Sequence, residues 1–135
     1  MQIRAYLSIV EVDPTFFNAD SSKDIGIYRS SSGLWAIKGI SRVYFGSMGD
    51  EIVPGDYDGD GAWDYGVCRS SSGLWAIRNV TRSYFGSSSD QPVPEDYKGD
   101  GRDDIGVYRG SSGLWAISGV SRVYYGGSGD VPVTR

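Results

Sequence analysis

Short runs of alternating apolar and polar residues recur along the chain in a fixed order. Ile25–Arg29 is followed by Leu34-Trp35-Ala36-Ile37 and then by Arg42-Val43-Tyr44-Phe45. Each run has the length and period of a half-buried strand, and each is closed by a turn of small residues such as Ser30-Ser31-Ser32-Gly33 or Lys38-Gly39-Ile40. A Gly/Ser-Asp turn then leads into a Val-Pro element and an acidic stretch, completing a unit of four strands, A to D. No segment sustains a 3.6-residue period, so the pattern predicts an all-β chain with essentially no helix.

The order repeats without slipping. Gly-Leu-Trp-Ala-Ile occupies residues 33–37, 73–77 and 113–117, an offset of 40 each time. Three units follow, over about 11–50, 51–90 and 91–130, within one repeat domain spanning 1–135. Terminal strands are expected over 3–8, matching strand D, and over 130–134, matching strand A. A period near 40 with four strands per unit is that of β-propeller blades. Three units of this size also describe a β-trefoil, which is the alternative fold. Three blades do not close a ring, because closed propellers take about four to eight. Bare sheet edges and apolar faces at both ends would invite association. The expectation is therefore closure as a homo-oligomer, with two chains supplying six blades and the terminal strands pairing across the junctions.

The second unit carries the densest chemistry, Asp56-Tyr57-Asp58-Gly59-Asp60-Gly61-Ala62-Trp63-Asp64. Carboxylates fall at loop positions 1, 3, 5 and 9, where they repel one another unless a cation lies among them. Calcium takes six to eight oxygens at about 2.3–2.6 Å, and Gly59 and Gly61 permit the left-handed backbone that a tight loop needs. Asp56, Asp58 and Asp60 would give side-chain oxygens, Ala62 its carbonyl, and Asp64 would close the shell. The opening positions match an EF-hand loop, but Val67 stands where that loop has its bidentate Glu, and the flanks read as strand.

In the third unit the loop is Asp96-Tyr97-Lys98-Gly99-Asp100-Gly101-Arg102-Asp103-Asp104. Asp96, Asp100 and Asp104, with the carbonyl of Arg102 in the place of Ala62, retain most of the metal set. Lys98 cannot ligate, so either water fills its place or its ammonium replaces the ion. In the first unit Phe16 replaces the leading Asp and both glycines are lost. Asn18, Asp20 and Asp24 are expected to hold a turn with little calcium binding.

Trp35, Trp75 and Trp115 recur in every unit, which fits filling the space between blades better than stacking on sugars. Trp63 occurs once, inside the acidic loop, and is expected to be exposed. Arg29, Arg69 and Arg109, with Arg42, Arg82 and Arg122, are expected to bridge strands or cover aromatics. The lone Cys68 fills the slot of Tyr28 and Tyr108, which reads as a partly buried substitution, and one cysteine excludes an internal disulfide. Without histidine or a nucleophile–base pair, the chain is not expected to be an enzyme. A net charge of −4 and the lack of a basic patch argue against nucleic acid. No apolar run reaches the ~20 residues of a membrane span, so no membrane insertion is expected. Met1–Tyr6 does not have the layout of a signal peptide.

Val53-Pro54-Gly55 running into the acidic loop, then an apolar strand ending in Arg and a Ser-Gly-Leu-Trp turn, resembles the FG-GAP/VCBS repeat family. The likeness runs from about Val12 to Val133. The resemblance implies integrin-α-like propeller blades with calcium in the loop between strands A and B. It also implies an extracellular or cell-surface setting and a role in adhesion or lectin-like ligand binding, with a glycan or protein as the ligand. The near-identity of the copies leaves a second class open, a purely structural or engineered self-assembling repeat protein. In an up-and-down blade the calcium loop and the C–D turn share one end. The B–C turn and the D–A connection, rich in Ser, Gly and Asp, share the other, where a ligand would be met.

Overall fold

The computed structural model of the chain describes residues 5–6, 9–11, 17 and 24–134. The strands described are β1 (Ala5–Tyr6), β2 (Ile9–Glu11), β3 (Gly26–Arg29), β4 (Leu34–Ile37), β5 (Ser41–Tyr44), β6 (Glu51–Ile52), β7 (Gly66–Arg69), β8 (Leu74–Ile77), β9 (Thr81–Tyr84), β10 (Gln91–Pro92), β11 (Gly106–Arg109), β12 (Leu114–Ile117) and β13 (Ser121–Tyr124). They form three antiparallel sheets in sequence order: β1–β5 (sheet 1), β6–β9 (sheet 2) and β10–β13 (sheet 3). No helix occurs among the described residues. The all-β class expected from the pattern is what the chain adopts.

Turn chemistry explains the short hairpins. Arg29, Arg69 and Arg109 each accept, through their carbonyls, a bond from the glycine four residues on, at 2.8, 2.9 and 2.9 Å. The C–D turns place Gly39, Asn79 and Gly119 at positive φ, and Asn79 (φ 63°) is the one non-glycine among the described residues to do so. Asparagine tolerates that region better than most side chains. No strand of one repeat pairs with a strand of another among the described residues, as a trefoil barrel would require.

Alternation within each strand builds two cores. In β8, Leu74 and Ala76 join Tyr28, Trp35 and Val67 between sheets 1 and 2. Trp75 and Ile77 point the other way and join Cys68, Val107, Leu114 and Ala116 between sheets 2 and 3. Sheet 2 is thus covered on both faces, and all four residues of β8 are buried. Trp35 and Trp75 are completely enclosed. Burying an indole of this size is worth roughly 4 kcal/mol of transfer free energy. Each indole N–H also donates to a carbonyl on the chain just past the neighbouring D strand, Trp35 to Phe45 at 3.0 Å, Trp75 to Phe85 at 3.2 Å and Trp115 to Tyr125 at 3.1 Å. Trp35 and Trp75 fill the space between sheets, as expected, whereas Trp115 lies partly exposed on the outer face of sheet 3. The Tyr28 slot reading of Cys68 also holds: the thiol is buried and pairs in register with Trp75.

At its two ends the single chain differs from the strands expected there. Of the D-type strand expected over 3–8, the described residues Ala5 and Tyr6 form β1, which pairs with β2 at the A edge of sheet 1, away from D strand β5. The A-type strand expected over 130–134 does not form, and residues 130–134 have no strand assignment. The A strands that do form are each held by the B strand of their own unit, as β6 is by β7.

Candidate metal centre

The acidic loops connect strands A and B of each repeat. In repeat 2 the loop is pinned at its neck by an antiparallel bridge between Gly55 and Asp64, and in repeat 3 by the same bridge between Glu95 and Asp104. Above the neck the first aspartate organises the backbone. Asp56 accepts bonds from the amides of Gly59 (2.8 Å) and Asp60 (3.2 Å) on Oδ1 and of Gly61 (2.9 Å) on Oδ2. Such an arrangement requires sharp reversals, and Gly59 and Gly61 sit at φ 77° and 88°. Asp58 Oδ1 accepts from the Asp60 amide (3.2 Å), Asp60 Oδ1 from Ala62 (2.9 Å), and Asp64 Oδ2 from Tyr57 (2.9 Å).

This folding brings together ligand oxygens from Asp56, Asp58 and Asp64 within 4.8 Å of one another. Three carboxylates at that spacing can hold a metal ion. Asp60 belongs to the same loop but lies outside this trio, exposed and turned to the Ala62 amide. Burial pushes the Asp64 carboxyl up to about 6, against the Tyr57 amide that lowers it, and the charges of Asp58, Asp60 and Asp56 add to the rise. A cation among these groups would relieve that repulsion.

The third loop has the same backbone and a different charge balance. Asp96 accepts from Gly99 (2.8 Å), Asp100 (3.1 Å) and Gly101 (2.8 Å), and Arg102 donates its amide to Asp100 (3.0 Å). Those amide bonds, that of Gly101 foremost, hold the Asp96 carboxyl below its ordinary range. The Lys98 ammonium sits 3.5 Å from Asp104 and 4.0 Å from Asp100. Of the two alternatives that the sequence leaves for Lys98, this is the inward one. In the first loop Phe16, Asn18 and Asp20 lie outside the described residues, while Asp24 is buried.

Three features escaped the sequence. Trp63 is buried, not exposed, and meets Phe17 edge-on with ring centroids 6.0 Å apart. A large indole next to a pinned neck finds its apolar partner in the sheet 1–sheet 2 core. Tyr57 is anchored as well, its hydroxyl donating to the Val53 carbonyl at 2.7 Å, and Tyr97 repeats this toward Val93. The two acidic loops also touch. The Asp56 amide donates to the Asp103 carboxylate at 2.8 Å, and the Asp103 amide donates to the Asp56 carbonyl at 2.7 Å. The extra acid in Arg102-Asp103-Asp104 was the available signal, since repeat 2 has Trp63 at that position.

The repeated arginines divide. Arg69 and Arg109 bridge strands A and B by forked contacts to Asp50 (2.8 and 3.1 Å) and Asp90 (2.7 and 3.0 Å). Arg42, Arg82 and Arg122 are exposed. Burial, with Glu51 and Asp50 nearby, pushes the Cys68 thiol up to about 12, so it does not offer a thiolate at neutral pH. No family model matches the chain, and no curated protein or solved structure matches it either.

Proposed function

We propose that this chain is a calcium-stabilised module of β-propeller blades, extracellular and non-catalytic, that serves adhesion or carbohydrate recognition. The convergence of Asp56, Asp58 and Asp64 in a glycine-turned loop is the observation that carries the metal half of this reading. Calcium suits the site because every candidate donor is a hard oxygen and the loop sets no rigid octahedron. Asp56, Asp58 and Asp64 would hold it, with Asp60 and the Ala62 carbonyl near enough in sequence to contribute. In repeat 3, Lys98 supplies the positive charge, so Asp96, Asp100, Asp104 and the Arg102 carbonyl keep the loop shape without an ion.

The metal acts as a fastener for a blade corner. Recognition falls at the opposite end of the sheets, where Ser30–Gly33 and Ser47–Asp50, with their repeats, present small polar groups suited to hydroxyl-rich ligands. The raised Cys68 thiol and the lack of histidine support a binding role over catalysis. Isothermal titration with calcium and with magnesium tests the first half, and a glycan array in calcium tests the second. One calcium per chain, with a dissociation constant of about 10⁻⁴–10⁻³ M and little heat from magnesium, is the expected result. Silence in the calcium titration sinks the metal reading.

A second reading is favoured by the near-identity of the turns: a structural, self-assembling repeat with no small ligand. Saturable glycan binding would set it aside, and an empty array together with calcium binding would favour it.

A further inference from the structure

The contacts that join sheet 1 to sheet 2 are repeated, 40 residues on, where sheet 2 joins sheet 3, so the chain defines one interface used twice. One side of that interface is the face of Trp35 or Trp75. The other is the face of Val67 and Ala76, or of Val107 and Ala116. Among the described residues each side also occurs once more without a partner. On sheet 3 the tryptophan-bearing face ends in Trp115, which is partly exposed, with Val123 and with Tyr125 at 79 % exposure. On sheet 1 the opposite face presents Ile25 at 62 % exposure, with Ile27 and Ala36, around an open pocket of about 380 Å³.

The ion pairs are left over in the same way. Asp50 and Asp90, on the crossovers into sheets 2 and 3, clamp Arg69 and Arg109. Asp130 stands at the same place on the crossover leaving sheet 3. Its carboxylate is already held by the Gly127 amide at 2.8 Å, as Asp50 is by Ser47 at 2.9 Å. Among the described residues no arginine meets Asp130 as Arg69 meets Asp50 and Arg109 meets Asp90. Arg29, exposed, is the first member of the arginine series, and the residue in register with it on β2 is Ile9, which cannot accept. Beyond Asp130, Val133 is 92 % exposed, whereas its equivalents Val53 and Val93 are 2 % and 1 % exposed.

We propose that a second copy of this chain occupies both open faces, sheet 3 of one copy docking on sheet 1 of the other, with Asp130 clamped to Arg29 of the partner subunit. Val131–Val133 then runs along β3 of the partner subunit in the strand A position, taking the edge that β2 holds in the single chain. This exchange of equivalent strands is a low-cost route to association. A head-to-tail contact either closes or grows into a filament. Three sheets from each of two copies fall within the roughly four to eight blades that close. The inference stands on the interface alone and does not depend on the metal reading.

Sedimentation velocity on the full chain at about 100 µM tests it, with Arg29→Asp, Asp130→Arg, the double exchange and Val133→Asp as variants. All three positions are exposed in the single chain, so each variant should keep the wild-type tryptophan emission and β circular dichroism. The wild type should sediment as a two-chain species. Each single reversal should weaken association on the order of a hundredfold by setting like charges together, and the double exchange should restore it. Val133→Asp should release monomers. A monomeric wild type, or a double exchange no tighter than the single variants, overturns the proposal.

Discussion

The acidic loops of repeats 2 and 3 follow the same backbone path and balance their charge by different means. Both are necked by an A–B bridge, and both wrap three amides around a leading aspartate. Loop 2 places Asp58 where loop 3 places Lys98, so one loop gathers three carboxylates while the other carries its own ammonium. They also differ in what holds them to the body. Loop 2 sinks Trp63 into the core, and loop 3 turns Asp103 sideways onto loop 2. The backbone path of such a loop is therefore separable from its charge. Glycines and the leading aspartate set the path, and the third residue decides whether the loop carries its own cation.

The largest effect should come from the anchor. Trp63→Ala removes a buried indole from the sheet 1–sheet 2 core and should lower unfolding stability by about 3–5 kcal/mol. Asp103→Ala, the corresponding change in loop 3, leaves the Asp56 amide without its acceptor and should lower it by about 1–3 kcal/mol. Urea unfolding in a chelator measures both without interference from the metal. Equal losses would show that the two loops are anchored alike.

The next effect exchanges the balancing charge. Asp58→Lys should abolish calcium binding, and Lys98→Asp should raise the stoichiometry from one ion to two. At calcium ten times the dissociation constant, each bound ion adds about 1.4 kcal/mol, so the thermal midpoint should respond to calcium in Lys98→Asp more than in the wild type and not at all in Asp58→Lys. Native mass spectrometry counts the ions directly. A Lys98→Asp chain that still binds one ion would mean that more than the third residue separates the loops.

How much of this contrast was legible beforehand follows a physical line. The 40-residue period, the strands, the turns and the loop glycines are local in sequence, and the chain adopts them as the pattern predicts. Lys98 could be read as an alternative to a metal because its charge is fixed by its type. Trp63 could not be placed, since its burial depends on Phe17, 46 positions away and in another repeat. The Asp103–Asp56 contact depends on how two sheets stack, which no spacing encodes. The end of the chain follows the same line: strand A needs a strand B beside it, and in the single chain residues 130–134 have no strand assignment.

A smaller effect tests whether the two paths are equally free. Gly59 and Gly99 lie at φ 77° and 72°, so alanine should strain either by about 1–2 kcal/mol. At Gly59 the added methyl would also meet Arg102 Cγ at 3.0 Å, while at Gly99 nothing lies within 4 Å. Arg102 is exposed and can swing aside, so Gly59→Ala should exceed Gly99→Ala by only a few tenths of a kcal/mol in thermal unfolding. A larger gap would place a specific contact between the loops at Arg102.

The smallest effect is the pH dependence left by an uncompensated carboxylate. Asp64 rises from 3.8 to about 6 on folding, chiefly by burial and then by its acidic neighbours. A carboxyl with a raised folded pKa binds more protons in the folded chain than in the unfolded one, so stability falls as pH rises between those two values. In a chelator, the Asp64→Asn chain should therefore match the wild type near pH 3.8 and melt above it once the pH passes about 6. Asp64 is only half-buried, so water screens the charge and the gain should be a few degrees at most. The comparison must be made against the variant because Asp90 pulls the other way. Burial alone would raise its carboxyl, but the hydrogen bonds from Arg109 and Ser87 hold it below its ordinary value, so its contribution is lost on acidification. Saturating calcium should reverse the sign at Asp64, because the ion binds the ionised trio and protons compete with it. The wild type should then be the more stable chain at pH 7 and lose that advantage as acidification protonates the trio. An Asp64→Asn chain that tracks the wild type at every pH, with and without calcium, would show that the trio carries no unbalanced charge and that loop 2 is as self-sufficient as loop 3.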